Sequence, residues 1–497
     1  MTIGGLDIGT TGCKLSVYDA DGRFITEAHS EYNATRVNGE HELDAESVWD
    51  SVCTVIREVS SKAGNIGSIG VTSFGESFVM LDDNDKVLFP SMLYTDPRGS
   101  KQCSDLCRLI GDKELGEIVG LTPHQMFSLP KLMWIREHHN ELYKKARRVL
   151  LMQDFTVYRL TGTAQIDYSI ASRTMAFDIR RRTWSKEIFD AAQIDVSLFS
   201  APVPSGTPAG KIGSDLALSL GLSSDVLVVS CCHDQVAAAI GAGVFHEGEA
   251  IVGTGTTECI TPVFDSIPDM QILREGNYAV VPHAIADKYV SYAFCFTGGA
   301  LLQWFKNQFV RLGSELSGNP DINVYQMLDE QVTSGPTGIL VLPHFAGGAT
   351  PYLDSGSKGA IIGLTLEHTS ADIYKALMEG VSYEMLLNIE KLRQAGIRFK
   401  MLRAVGGGAK SRVWLQLKAD IFGLPIVSLG ASEAGTIGSI MLTGISSGAF
   451  SNLEDASAKL IHEQGTYYPD MKNHAAYMVL FEKYLSVYRA VRPLIPQ

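Results

Sequence analysis

The feature that most restricts the fold is a repetition. "GTTGC" at residues 9–13 returns as "GTTEC" at residues 255–259, 246 positions later. Each copy lies between short runs in which apolar and polar residues alternate, "IGGLDI" and "KLSVYDADG" around the first and "EAIV" and "ECITPVF" around the second. Alternation across a Gly-rich turn predicts a β-hairpin in both places. After the first hairpin, "DAESVWDSVCTVIREVSSKAG" sets Val48, Val52, Val55, Ile56 and Val59 at helical spacing with Gly64 at the end, and "IGSIGVTS" reads as a short buried strand. After the second, "SADIYKALMEGVSYEMLLNIEKLRQAG" predicts a long amphipathic helix closed by Gly396, and "MLRAVGGGAKS" a strand running into a glycine loop. Between the copies, "VLVVSCCHDQVAAAIGAG" predicts a buried strand ending at His233–Asp234 and a helix of small residues. A chain of 497 residues exceeds one hydrophobic core. The expected fold is therefore α/β, in two duplicated domains divided as 1–243 and 244–497, with a small ligand in the cleft between them.

Charge and cysteine usage narrow the function. A net charge of −13 speaks against a nucleic-acid partner, because phosphate-backbone binding needs clustered Lys and Arg. The one basic run, "RRRT" at 180–183, reads as a solvated turn. The eight cysteines lack metal-site spacing: Cys103 and Cys107 can share a helix face, but no second pair completes a tetrahedron. Cys231 and Cys232 lie in an apolar run and read as buried thiols, which suits a reducing, cytoplasmic compartment. The first residues, "MTIGGLDIGT", carry no secretory pattern, and no apolar run reaches the roughly 20 residues that span a bilayer. No membrane partner is expected.

Gly and Thr in the two turns suit phosphate for separate reasons: Gly lets backbone N–H groups approach an anion, and Thr adds a hydroxyl donor without charge. "DIGTTG" adds a carboxylate, Asp7, where "GTGTT" at 253–257 has none. The pair could cradle a nucleotide's phosphates while Asp7 holds Mg2+ directly or through water, or both could be ordinary hairpin turns. "GGGAKS" at 406–411 is no Walker-type loop, but its glycines admit a flat neutral group such as adenine. Asp234, at a strand-to-helix junction, is either a helix cap or a general base.

Taken in order, "GLDIGTTGCK", "HDQ" at 233–235, "GTGTTE" and "AVGGGAKSRVWLQLKADIFGLP" resemble the motifs of the FGGY carbohydrate kinases, a family of the actin–hexokinase–Hsp70 ATPase fold. The resemblance implies two actin-like (ribonuclease H-like) domains around a central cleft, and ATP-dependent phosphorylation of a small carbohydrate with Mg2+. It implies a metal and phosphate role for Asp7, a first phosphate turn at Gly9, Thr10 and Thr11, and a second at Gly253, Thr254, Gly255 and Thr256. It places adenosine at Gly407, Gly408 and Ala409, makes Asp234 the catalytic base, and sets Gln235 beside it at the substrate.

The sugar end departs from the pattern. "TSFGESFVMLD" aligns with a segment carrying Met-His in xylulokinases and Arg-Glu in glycerol kinases, and here those positions are Gly75 and Glu76. "YTDPR" at 94–98 resembles an aromatic-x-Asp-x-Arg segment, so Asp96 and Arg98 either reach the sugar or form an ion pair on a loop. Met126 stands where glycerol kinases carry a substrate Tyr. The expected acceptor is a ketose, a xylulose-like pentulose or a hexulose such as fuculose, with a polyol as the alternative. A non-kinase ATPase on the same superfold is the competing class, and the oligomeric state is left open with a homodimer as the candidate. Gly298 and Gly299 in "TGGALLQWF" either start a helix aimed at phosphate or permit close packing, and His344 is expected to be a loop histidine bonded to backbone.

Overall fold

The computed structural model describes residues 2–310, 324–430 and 433–495. They form two compact units: Met1–Gly243 with Val280–Val290 and Glu433–Ile461, and Val244–Ala279 with Ser291–Ser432 and His462–Gln497. A single cut at 243/244 does not describe this division, because two later segments pack with the first unit.

The first unit is built on β1 (Thr2–Ile8), β2 (Gly12–Asp19), β3 (Phe24–Glu31), α1 (Ala45–Ala63), β4 (Ser68–Ser73), β5 (Thr207–Lys211), β6 (Leu227–His233) and α2 (Asp234–Gly241). The sheet runs β5-β6-β4-β1-β2-β3. β1 and β2 form the expected antiparallel hairpin, with Ile8 opposite Cys13, and β4 lies parallel to both β1 and β6. α1 starts where the Asp44 side chain accepts from the Glu46 N–H, and it buries Val48, Val52, Val55, Ile56 and Val59 against β2 and β3.

The second unit repeats the plan with β7 (Glu249–Thr254), β8 (Glu258–Phe264), β9 (Ala293–Cys295), α3 (Ser370–Gln394), β10 (Met401–Val405), α4 (Arg412–Phe422), β11 (Ile426–Leu429) and β12 (Glu463–Tyr467). Its strands run β9-β8-β7-β10-β11-β12. β7 and β8 are antiparallel with Thr254 opposite Glu258, β10 is parallel to β7 and β11, and β12 is antiparallel to β11. Strand for strand this is the first unit's order, so the repeated turn marks a repeated sheet.

α3 differs from its sequence reading. It begins with a Thr369–Asp372 capping box, but its polar positions are buried as well as its apolar ones. Lys375 Nζ donates to Thr333 O at 2.6 Å, Thr337 Oγ1 donates to Glu379 at 2.6 Å, and Glu384 meets the Tyr484 hydroxyl and His344. His344 is fully buried and bonds the Ser357 and Glu384 side chains rather than backbone. Lys375, Glu379, Glu384 and His344 thus each have the partner that burial of a polar group calls for.

After β11 the chain returns to the first unit as α5 (Ala434–Ser446), which packs on β1, β4 and α2. Glycine makes this approach feasible: a Cβ at Gly241 would overlap the Ala434 carbonyl, and one at Gly438 would overlap the Ala237 carbonyl. The two helices therefore cross with their backbones in contact.

Candidate active site

In the first unit the hairpin turn closes through the Gly9 N–H donating to Gly12 O at 2.9 Å, and the Tyr32 hydroxyl donates to Gly9 O at 2.5 Å. Thr10 is half-buried and Thr11 exposed, so this turn offers its surface to a ligand. Asp7 lies two residues before Gly9, with Lys14 as its cross-strand partner. Lys14 pairs with Glu27 at 2.8 Å and with Glu433, just before α5, at 3.4 Å. Burial, then the negative Asp234 and Glu433, push the Asp7 carboxyl up to about 7 against the pull of Lys14. Asp234 thus comes close enough to resist the ionisation of Asp7.

Asp234 is the first residue of α2. The capping position is His233, which makes no side-chain cap bond, so the helix-cap alternative lacks its geometry. About a third of the Asp234 side chain is exposed, while Oδ1 faces inward without a hydrogen-bond donor, 3.3 Å from His233 Nδ1. Burial raises the Asp234 carboxyl to about 6, opposed by hydrogen bonding from Gln235 and by the charge of Arg173. Burial and Arg173 lower His233 to about 3, so its ring is neutral and its contact with Asp234 is no ion pair. The His233 N–H donates to Ser169 Oγ at 2.8 Å. Ser169 lies in the short helix Tyr168–Ser172, whose cap, Asp167, also accepts from Ser205 Oγ at 2.6 Å.

Glu76 reaches the same site. It is 5% exposed, and its Oε1 accepts from Arg173 Nε at 2.6 Å and meets Nη2 as well. Burial, Glu76 and Asp234 together raise the Tyr94 hydroxyl, which places these three groups in one neighbourhood. Asp96 and Arg98 are arranged otherwise. Asp96 is 1% exposed and accepts from the His41 N–H at 2.7 Å, the Arg98 N–H and the Arg98 guanidinium. Arg98 also pairs with Glu42 at 2.7 Å and lies 5.2 Å from the Trp134 ring centre. Both side chains are spent in fixing their loop, the ion-pair alternative of the sequence.

In the second unit a pocket of about 890 Å³ is lined by Thr254, Gly255, Gly299, Gly407, Gly408 and Trp414, among others. It brings together the second turn and the glycine loop. Gly407 has open space where a Cβ would stand, whereas a Cβ at Gly408 would overlap Thr254 Cγ2. Ala409 points away: it is 7% exposed, its carbonyl accepts from Ser428 Oγ at 3.3 Å, and it does not line the pocket. The Thr254 hydroxyl is likewise turned inward, accepting from Lys418 Nζ at 2.6 Å, and Lys418 also bonds Glu258 Oε1. In the turn itself Gly255 and Thr256 are exposed while Gly253 is half-buried, so Thr254 supports the turn from beneath. The helix Gly299–Phe305 spends its first N–H groups on this turn, Gly299 on Gly255 O at 2.8 Å and Ala300 on Thr256 O at 3.2 Å. Gly298 and Gly299 therefore serve close packing.

Several of these groups carried no readable signal. Arg173 stands 97 residues from Glu76 and Lys418 stands 164 from Thr254, at no telling spacing. Lys14 could have been found, since hairpin register sets it opposite Asp7.

Among the described residues no group of three or more His, Cys, Asp or Glu is arranged to hold a metal, and no helix is long and apolar enough to cross a membrane. Magnesium needs less than an all-protein cage, taking one or two carboxylates with water and phosphate oxygens. Asp7, a hard oxygen donor whose ionisation is resisted by two neighbouring carboxylates, fits such a cation.

Comparison with known proteins agrees across nearly the whole chain. Residues 2–241 match the N-terminal domain, and residues 250–447 the C-terminal domain, of the FGGY family of carbohydrate kinases. A xylulose kinase of Staphylococcus epidermidis is 30% identical over 98% of this chain and 95% of its own, and one of Bacillus subtilis 27% over 99% and 97%. The solved structure of a ligand-bound xylulose kinase from Lactobacillus acidophilus superposes with a TM-score of 0.89 at 23% identity, covering 99% of this chain and 98% of that one. Two duplicated α/β units of the actin-like ATPase fold, matched by both family domains, make this chain a member of the FGGY family of carbohydrate kinases.

Proposed function

We propose that this ATP-dependent kinase phosphorylates a pentulose of the xylulose type, with Asp234 as its general base. The observation that carries the base assignment is the Asp234 carboxylate itself: one oxygen without a donor, a pKa of about 6, and Glu76 and Tyr94 close by. The sugar hydroxyl gives its proton to Asp234 as its oxygen bonds to the γ-phosphorus of ATP, and the bond to the bridging oxygen breaks to release ADP. Glu76 accepts hydrogen bonds from sugar hydroxyls, and Gln235 lies beside the base. The first turn, at Gly9, Thr10 and Thr11, and the exposed part of the second, Gly255 and Thr256, offer N–H and hydroxyl donors to phosphate, with Gly253 entering that turn. Gly407 and Gly408 admit adenosine to the second unit's pocket. Mg2+, held by Asp7 with water and phosphate oxygens, would supply charge neutralisation at the phosphates. The pentulose assignment draws on the xylulose kinases among the relatives. Free thiols at the eight cysteines support a reducing, cytoplasmic setting.

A coupled ADP-release screen over pentuloses, hexuloses and polyols tests the acceptor. The highest kcat/KM is expected for a pentulose; a hexulose or polyol that exceeds every pentulose overturns the assignment.

The base assignment also fixes a pH dependence. Asp234 must be ionised to accept a proton, and its carboxyl is raised from 3.8 to about 6. Activity is thus present above that pH and lost below it. The expected profile of kcat/KM falls about tenfold per pH unit below the pKa, and this limb is missing from the residual activity of Asp234→Asn. A profile that stays flat down to pH 5 would exclude Asp234 as the base.

A further inference from the structure

We infer that Arg173 and Gly75 determine sugar specificity as one device, Arg173 by holding Glu76 at the sugar and Gly75 by leaving the space that Arg173 fills. The inference rests on the reading that Glu76 meets the acceptor. Glu76 has a backbone φ of 66°, a left-handed conformation uncommon for a residue with a long side chain. It is held there from both sides. Ser128 Oγ donates to the Glu76 carbonyl at 2.6 Å, and the Ser77 N–H donates to the Gly75 carbonyl at 2.8 Å. The carboxylate is then oriented by Arg173, whose Nε and Nη2 both go to Oε1.

Arg173 is itself placed with little freedom. It follows directly on the helix Tyr168–Ser172, which Asp167 caps through the N–H groups of Ser169 and Ile170. Its guanidinium carbon lies 5.1 Å from the centre of the Phe127 ring. The stem of the side chain runs across Gly75, where a Cβ would stand 2.7 Å from Arg173 Cγ, 2.9 Å from Arg173 Cβ and 3.2 Å from His233 Cδ2. Any side chain at position 75 would displace the arginine, the histidine before the base, or both. Glycine is needed here for room, since Gly75 is absent from the positive-φ positions.

Chemistry indicates what the device selects. A carboxylate already paired with a guanidinium presents little net charge and keeps lone pairs that can accept from hydroxyls, which suits a neutral sugar. A sugar acid would bring its own carboxylate toward Glu76 and Asp234 with only an already paired cation to receive it. Arg173 is argued to act through Glu76, and is therefore a positioning residue.

The test measures KM for the best sugar of the screen and KM for ATP in Arg173→Gln, Glu76→Gln, Gly75→Ala and the double variant Arg173→Gln/Glu76→Gln. Each single change is expected to raise the sugar KM by about tenfold or more, with ATP KM unchanged within about twofold. Because both polar changes break one pair, the double variant should be no worse than the worse single one. Arg173→Lys keeps charge without the fork and should recover only part of the loss. Gluconate is the probe for sugar acids: Glu76→Gln, which leaves the guanidinium unneutralised, should narrow the preference for the neutral sugar over it. Effects of the two polar changes that simply add, or a normal sugar KM in Arg173→Gln, overturn the device while Glu76→Gln still shows its effect. A normal sugar KM in Glu76→Gln instead overturns the underlying placement of Glu76. Melting temperature and sugar-independent ATP hydrolysis check the fold of every variant, and if Gly75→Ala fails to fold the polar pair still decides the matter.

Discussion

Asp234→Asn is expected to lower kcat by roughly 10²–10⁴-fold, the range that general-base catalysis supplies, with ATP binding and melting temperature nearly unchanged. Asparagine keeps the size and most of the hydrogen bonds of aspartate but cannot take a proton. The structure sharpens this expectation in two ways. Asp234 does not occupy the capping position of α2, so the loss cannot be assigned to a broken cap. Its neighbour His233 is held neutral by burial, with a pKa pulled down to about 3, and so still has a basic nitrogen but very little basicity with which to replace the lost carboxylate. The carboxylate also helps to raise Asp7, and its neutralisation should let Asp7 ionise more readily. Magnesium affinity is thus expected to hold or improve while turnover collapses. A variant that keeps more than about a tenth of wild-type kcat would remove Asp234 from the proton transfer.

Lys418→Met is expected to cost about 3–5 kcal/mol of stability, the usual consequence of removing one partner from a buried ion pair. Lys418 is 1% exposed and Glu258, which it bonds, is 0% exposed. The second oxygen of Glu258 has no hydrogen-bond partner, so Lys418 is the cation on which that carboxylate depends. The same ammonium bonds the Thr254 hydroxyl and lies 4.4 Å from the centre of the Trp414 ring, which lines the pocket proposed to take ATP. Loss of the lysine should therefore lower the denaturant midpoint and raise the KM for ATP together. The double variant Lys418→Met/Glu258→Gln leaves no buried charge and should regain at least half of the lost midpoint. A single variant as stable as wild type, or a double variant worse than the single, would contradict the role given to the pair.

What could be read from the sequence followed the range of the interactions involved. Hairpins, α1 and the strand-to-helix junction at Asp234 rest on contacts between near neighbours, and periodicity and turn chemistry record those. Thr254 shows the limit. Beside a glycine turn a threonine hydroxyl reads as a ligand donor, and only the fold reveals a lysine 164 residues away that claims it. Ala409 fails for a similar reason, since a three-residue loop motif does not say which of its members faces inward. The buried polar residues of α3 escaped notice because their partners lie in distant loops, at Thr333 and Thr337. Asp96 and Arg98 were open between two readings because an ion pair looks the same in sequence whether it binds a sugar or ties a loop.

The return of α5 to the first unit bears on how this protein is made. During synthesis the strands β1 and β4 and the helix α2 emerge long before the helix that covers them, which begins only at residue 434. Until then Gly5 and Gly70, whose bare backbones receive Thr436 and Thr443, form part of an uncovered sheet face. Order of synthesis and order of folding must therefore part company, because the unit that carries the proposed base is completed only after most of the second unit has been made.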